Sequence, residues 1–314
     1  MESASHEMKV LSVNISAERG TVKHPVEEIV LDDNGVVHDA HAGMWHRQMS
    51  LLGVESIEKF EKATGRAVHY GEFAENITTQ GVPLTTVAPL DRLVMGLAEV
   101  EVTQIGKACH GSTCAIFKEV GDCIMPREGV FARVIHHGRI KPGVRIEYHP
   151  KVFKVLVITL SDRASGGEYD DRSGPEIEKL LGSYFTGLSR NFDIDRLVIP
   201  DDSRKLHNIL LGARDSIVDF IFTTGSTGIG LRDIAPETVK PLLDKEIPGV
   251  MEWIRFKYGQ EKPNAFLSRS VAGVMGQSLI FTLPGSLKAV KEYMTEITKM
   301  LQHMVYMLHG IDMH

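Results

Sequence analysis

Two rhythms of apolar and polar positions divide the chain. Over residues 8–149, short strand-length runs recur at 9–14, 28–31, 93–102, 129–135 and 144–148. Turn signals separate them, among them Asp33, Asn34 and Gly35, Pro89, and Pro142 with Gly143. Such spacing predicts a mainly β, barrel-like domain. One helical stripe interrupts it, with Val54, Ile57 and Phe60 on the apolar side and Gly65 as its stop. After Pro150 the pattern changes. Apolar runs at 153–160, 196–200, 218–222 and 278–283 alternate with helical stripes at 173–181, 203–214 and from Pro248 onward. A long final helix carries Val290, Met294, Ile297, Leu301, Met304 and Leu308 on one face. Buried strands alternating with helices predict a three-layer α/β domain with a mostly parallel sheet. Two domains are therefore expected, 1–149 and 150–314, with no low-complexity linker between them.

Polar residues in the second half cluster where the strands end. The four runs deliver, in turn, Ser161, Asp162, Arg163 and Ser165; Asp201 and Asp202; Thr224, Gly225, Ser226, Thr227, Gly228, Arg232 and Asp233; and Pro284, Gly285, Ser286 and Lys288. In a parallel sheet these ends share one edge, where open α/β proteins bind their ligands. Glycines let a phosphate approach backbone amides, and successive amides form an anion nest. Asp201 and Asp233 are candidate Mg²⁺ ligands, and Arg163, Arg232 and Lys288 can neutralise phosphate charge. This is the equipment of phosphoryl or nucleotidyl transfer, which works by positioning and charge stabilisation. It is not a P-loop, since no Gly-Lys-Ser/Thr ending follows, and the dinucleotide fingerprint's glycine spacing is absent.

Composition narrows the setting. Of 314 residues, 43% are hydrophobic and 24% charged, as in soluble globular proteins. A net charge of −6 gives no reason to expect a nucleic-acid or membrane-surface partner. Apolar runs reach only about eight residues, too short to span a bilayer. The polar N-terminus lacks a signal peptide's apolar core, so a cytoplasmic location is expected. Cys109, Cys114 and Cys123 are then no disulfide framework; a metal cluster, a reactive thiol and plain packing stay open. Lys107 and His110 beside Cys109 would favour its thiolate. Cys109, His110, Cys114 and Cys123 number four possible zinc ligands, but without paired Cys-x-x-Cys knuckles zinc is disfavoured.

His38, His41, His46, Arg47 and Gln48, then Glu75 and Asn76, then the block 104–133, together resemble the MOSC domain, named for the C-terminal region of molybdenum-cofactor sulfurases. The resemblance covers nearly all of residues 8–149. It implies a β-rich barrel-like fold with one prominent cysteine proposed to carry sulfur, which maps to Cys109. No cofactor-desulfurating partner domain accompanies it, so the first domain is expected to be a binding or carrier module.

In the second half, Ser161 to Ser165, Ile199 to Asp201, Thr223 to Gly228, Arg232 and Asp233, Ile247 to Gly249, Leu267 to Ser270, and Leu283 to Ser286 resemble the MogA/MoaB family of molybdopterin-binding proteins. This likeness covers residues 153 to about 309. It implies loops that bind molybdopterin and ATP, with Asp201 and Asp233 catalytic and concerned with Mg²⁺. Gly225, Ser226, Thr227, Gly228 and Ser286 would hold phosphate, and Arg232 or Lys288 would stabilise charge. The implied reaction is adenylation of the molybdopterin phosphate by ATP, in a pathway handling molybdenum or tungsten, and the family's trimers imply a homo-oligomer. Two departures stand out: Ser226 replaces a usual glycine, and Leu287 a common proline. The alternative is a non-catalytic carrier or storage protein for the cofactor.

Overall fold

The structure is a computed structural model and describes residues 7–82, 84, 86–107 and 123–312. The chain divides into two compact units: residues up to Lys151 together with those after His309, and Val152–His309.

The first unit begins with β1 (Lys9–Ile15), β2 (His24–Val26), β3 (Ile29–Asp32), β4 (Gly35–Val36), β5 (Met49–Gly53) and helix α1 (Val54–Thr64). It continues with β6 (Ile77–Gln80), β7 (Arg92–Met95), β8 (Ala98–Ile105) and the single turn α2 (Met125–Glu128). Last come β9 (Val130–His136), β10 (Gly138–Ile140) and β11 (Ile146–His149). One sheet runs β11-β7-β8-β9-β5-β6-β1-β2, and β10-β3-β4 form a second. The larger sheet curls, so that Val10 N–H donates to Val144 O at 2.9 Å and Ile146 N–H to Met8 O at 2.8 Å. A single bridge, Lys9 opposite Arg145, is the only pairing there, and no full ladder closes a barrel among the described residues. The unit is mainly β, as expected, but the expected barrel is not found: the sheet is open among the described residues.

The run 93–102, read as one strand, is a hairpin of β7 and β8. Gly96 takes φ +66°, and Leu97 at the tip is 88% exposed. Apolar residues continue on both arms, so the pattern concealed the turn. In α1 the sequence signal held, with Gly65 at φ 69° donating its N–H to Glu61 O.

The second unit contains β12 (Val152–Leu160), α3 (Asp162–Ser165), α4 (Ser173–Gly187), β13 (Asn191–Ile199), α5 (Ser203–Asp215) and β14 (Phe220–Thr224). After them come α6 (Ala235–Val239), β15 (Lys245–Glu246), α7 (Pro248–Gly259), β16 (Ala272–Met275), β17 (Ser278–Leu283) and α8 (Leu287–Leu308). The sheet order is β13-β12-β14-β17-β16-β15. The first four strands are parallel; β16 and β15 are antiparallel. The sheet is therefore mixed. Met275 pairs with Ser278 across a tight turn in which Gly276 has φ +62°, and so short a link cannot make a parallel crossover.

Packing explains the order. Ile221 and Phe222 of β14 are wholly buried, and Phe222 stacks on Phe281 of β17 at 5.1 Å. Phe185 of α4 stacks on Phe153 of β12 at 5.4 Å. Leu206 and Leu210 of α5 are also fully buried. Each such side chain contributes about 1.5–3 kcal/mol by leaving water. Helix α4 is capped by Asp171: one carboxylate oxygen accepts the Ser173 and Gly174 amides, at 3.0 and 3.2 Å. Its other oxygen accepts from Thr159 Oγ1 at 2.7 Å, which ties the helix start to β12.

Helix α8 is held to α7 through the nearly buried Glu296. Its carboxylate accepts from Trp253 Nε1 at 3.1 Å, Lys257 at 2.8 Å and Lys299 at 2.9 Å. Burial alone would raise its pKa, but the bonds from Lys257, Lys299 and Trp253 outweigh it and bring the value down to about 2. A lowered carboxylate pKa gives stability that is present above the unfolded value, about 4.3, and lost as pH falls toward the folded one. Glu296→Gln should therefore cost about 1–3 kcal/mol at neutral pH, toward the lower end because both lysines are partly exposed. In urea unfolding the variant should also lose less stability than the parent as pH drops from about 4.5 to about 2. Equal acid sensitivity in the two proteins would contradict this role.

Candidate functional site

The parallel strands β12, β13, β14 and β17 end at one edge, and the loops beyond them bond to one another. Ser161 caps α3, its Oγ accepting the Ala164 N–H at 3.2 Å and bonding to the Tyr169 hydroxyl at 2.9 Å. Asp162 and Asp201 bridge the first two loops. Asp201 N–H donates to Asp162 Oδ1 at 3.1 Å, and Asp162 N–H donates to Asp201 Oδ2 at 3.3 Å. Arg232, from the loop after β14, pairs with the second oxygen of Asp162. The fourth tip joins through Thr224, whose Oγ1 donates to Pro284 O at 3.1 Å, and through Gly225 N–H, which donates to Leu283 O at 2.9 Å. A Cβ on Gly225, where φ is +97°, would lie 2.3 Å from Leu160 O. Only glycine lets these backbones converge.

Ser226 follows with φ +56°, the left-handed conformation that costs a non-glycine residue about 1 kcal/mol. Its side chain offsets that cost. Ser226 Oγ donates to Arg232 O at 3.0 Å and accepts from Ile234 N–H at 2.8 Å, closing the loop on itself. The hydroxyl expected to meet a phosphate is thus committed to its own loop. Asp233 lies against Gly228 and Gly230; it accepts the Gly230 N–H at 2.7 Å, and a Cβ on Gly228 would come 2.8 Å from its Oδ2. These two glycines make room for a carboxylate of the chain itself.

Arg269 is the residue that sequence reasoning passed over. It lies in the stretch 267–270 quoted for the resemblance, but far along the chain from any strand tip. Its N–H donates to Thr227 O at 3.0 Å and its Nε to Gly228 O at 2.6 Å. Its Nη2 reaches Asp233 O at 3.4 Å, and it pairs with Glu237. One side chain thereby brackets the loop that carries Asp233.

Asp201 and Asp233 do not touch; Arg232 and Asp162 link them. Asp201 Oδ1 is buried with no hydrogen-bond partner, as is Thr223 Oγ1. A carboxylate oxygen left unpaired is costly, and a hard cation or a ligand donor would satisfy it. The unpaired oxygen is that of Asp201 alone, since Asp233 Oδ2 already accepts the Gly230 N–H. Other expected residues take local roles. Ser165 Oγ donates to Asp162 O at 2.9 Å, Arg163 lies over the Tyr169 ring at 5.1 Å, and Thr227 is buried. Ser286 caps α8 by accepting the Ala289 N–H at 3.3 Å. Lys288 meets Lys262, whose neighbouring ammonium lowers its pKa, and no described contact brings it into the strand-tip cluster.

In the first unit, a cavity of about 280 Å³ is lined by Arg19, His41, Arg47 and Lys107 against Trp45 and Phe131. The Arg47 guanidinium lies over the Trp45 ring at 4.8 Å, and Arg47 Nε is buried without a partner. Behind His41 sits the buried ion pair of Lys23 and Asp39. Nearby Glu75 accepts from Gly71 N–H at 2.6 Å and Thr78 Oγ1 at 2.9 Å, and burial raises its pKa. Cys109, and with it His110 and Cys114, lies outside the described residues. Cys123 is buried and packs with Ile124, Met125 and Phe131.

Loops joined at the carboxyl edge of a helix-covered sheet define the class of α/β domains that take their ligand at that edge. Residues 156–303 match the family described as "Probable molybdopterin binding domain", and residues 38–147 match the MOSC domain. A molybdopterin adenylyltransferase of Helicobacter pylori is 34% identical over 155 residues, 49% of this chain and 86% of that protein. One of Pyrococcus furiosus is 39% identical over 163 residues, 49% of this chain and 92% of its own length. A molybdopterin biosynthesis protein from Mycobacterium abscessus, of solved structure, is 34% identical with a TM-score of 0.46, covering 50% of this chain and 97% of that one. The chain belongs to the MogA/MoaB family of molybdenum-cofactor biosynthesis proteins and carries a MOSC domain before that half. No helix among the described residues is long and apolar enough to cross a membrane.

Ser226 offers a direct test of the loop's energetics. Ser226→Ala keeps the backbone strain and loses both side-chain bonds, and should cost about 1–2 kcal/mol. Ser226→Gly loses the same bonds but relieves the strain, and should be more stable than the alanine variant by about 1 kcal/mol. Chemical denaturation of the two would reveal the order, and an alanine variant as stable as the glycine one would deny the strain.

Proposed function

We propose that the second domain is a molybdopterin adenylyltransferase working at the strand-tip cluster. The observation that carries this reading is that four loops are tied together at one edge of the sheet, where Asp201 Oδ1 is buried without a partner. The adenylyltransferases of Helicobacter pylori and Pyrococcus furiosus support it by similarity over this half. A phosphate oxygen of molybdopterin attacks the α-phosphorus of ATP; the new P–O bond forms as the α–β bridging P–O bond breaks and pyrophosphate leaves.

The chain's own groups act by position and charge. Asp201 and Asp233 would hold Mg²⁺, which when bound supplies charge neutralisation at the phosphates. Gly225 and Gly285 let the loops after β14 and β17 pack backbone against backbone, with the Gly225 amide held by Leu283 O, and so fix the edge beside which a phosphate would sit. Arg232 is exposed and, among the described residues, pairs with the partly exposed Asp162, so it can turn to a developing negative charge. Arg269 fixes the loop from which Asp233 and Arg232 project. For the first domain, the cationic cavity with its Trp45 and Phe131 walls supports binding of an anionic, aromatic ligand, in keeping with a cofactor-binding or sulfur-carrying module. Cys109 would carry the sulfur.

With molybdopterin, Mg²⁺ and ATP, the protein should release pyrophosphate. Asp201→Asn and Asp233→Asn should each lower the rate by about 10²–10³-fold. Cys109→Ser should leave it unchanged. Tight ligand binding with no pyrophosphate from the unaltered protein would instead establish the carrier reading.

A further inference from the structure

The loop after β14 is anchored at both ends and loosely held between them. Near its start, Thr227 O and Gly228 O accept from Arg269, whose Nη2 also reaches Asp233 O at the far end. Ser226 Oγ secures that far end through Arg232 O and the Ile234 N–H. Between the anchors lie Ile229, Gly230 and Leu231. Among the described residues, the hydrogen bonds of this tip all run from Gly230 to Asp233. Gly230 N–H donates to Asp233 Oδ2 at 2.7 Å, and Gly230 O accepts the Asp233 N–H at 3.0 Å. The two side chains at the tip cover nothing: Ile229 is 75% exposed and Leu231 fully exposed. Two branched aliphatic groups thus stand in water directly beside Arg232 and Asp233, at the rim of a charged site.

Asp233 has two tasks that exclude each other. Its Oδ2 lies in a notch between Gly228 and Gly230, where a Cβ on either glycine would come within 2.8 and 3.0 Å of it. Once that oxygen turns to a ligand at the strand tips, the Gly230 N–H is released and the notch empties. Glycines on both sides of Ile229 then leave the tip free to swing. We propose that residues 229–231 form a flap, latched open by Asp233, which closes over bound nucleotide and lays Ile229 and Leu231 across it. The proposal rests on the adenylation reading for the identity of the nucleotide, and it adds how the site shuts. In that reaction water competes with the pterin phosphate for the α-phosphorus. Attack by water breaks the same α–β bridging P–O bond and yields AMP and pyrophosphate. An apolar cover over the phosphates removes that competitor.

The test places a reporter on the flap with Leu231→Trp, a position exposed enough for the fold to tolerate an indole; the parent protein supplies the signal of Trp45 and Trp253 for subtraction. The ligand is Mg²⁺ with an ATP analogue whose α–β bridge cannot be cleaved, and its binding is measured separately by equilibrium dialysis. Acrylamide quenching of the introduced indole should fall about threefold when the analogue is bound. Without ligand, adding Asp233→Ala should lower the fluorescence anisotropy of that indole, whereas Asp233→Asn, which keeps an acceptor for Gly230, should not. Ile229→Ser combined with Leu231→Ser should melt at the parent's temperature and raise the conversion of ATP to AMP without molybdopterin about tenfold. An indole equally accessible with the analogue bound, or an anisotropy indifferent to Asp233→Ala, overturns the flap and leaves the adenylation reading standing. A shielded indole without pyrophosphate release from molybdopterin and ATP counts against adenylation and not against the flap. An analogue that does not bind at all removes both.

Discussion

Asp162 and Asp201 each donate a backbone amide to the other's carboxylate, and the geometry of the site follows from that exchange. Two like charges brought together at strand ends would repel if left alone. Here each is partly neutralised by an amide dipole, and Arg232 adds a full positive charge on Asp162. The loops after β12, β13 and β14 are thereby fixed before any ligand arrives. What remains is Asp201 Oδ1, buried and without a donor. A site organised in advance pays less entropy when its ligand binds, and its charges need not reorganise during reaction.

The loop after β14 obeys a second constraint. It must cross close to Leu160 and Gly285, which excludes a side chain at Gly225, and it must then return to start α6. Ser226 makes that return, in a conformation that serine adopts reluctantly. Its hydroxyl closes the loop from inside while Arg269 closes it from outside. Replacing a glycine by serine thus exchanges conformational ease for two hydrogen bonds, and the loop is held by side chains rather than by freedom of its backbone.

Much of this was legible in the residues themselves. The alternation of buried runs and helical stripes foretold β12, β13, β14, β17 and the helices between, and the polar residues after each run foretold the shared edge. Less visible was anything decided by contacts between distant parts of the chain. The cap of α4 falls to Asp171 because Thr159 holds that carboxylate in place, a relation that spacing cannot reveal. Lys288 looks well placed in sequence, yet it meets Lys262. The glycines at 228 and 230 suggested an empty nest, whereas three residues on Asp233 occupies it. Strand β16 carries too few residues to announce itself, so the antiparallel edge went unseen. In the first domain the hairpin at Gly96 hid inside a continuous apolar pattern, and β5 was missed because all five of its residues are buried and none alternates.

The central claim is that Asp201 and Asp233 serve one bound nucleotide. Its most direct test is a crystal structure with Mn²⁺ in place of Mg²⁺ and an ATP analogue whose α–β bridge cannot be cleaved. The account predicts an anomalous manganese peak coordinated by Asp201, with the α-phosphate beside Gly225 and Gly285 and Asp233 turned from Gly230 toward the metal. Manganese and nucleotide bound elsewhere, with Asp201 Oδ1 still unpaired, would contradict it.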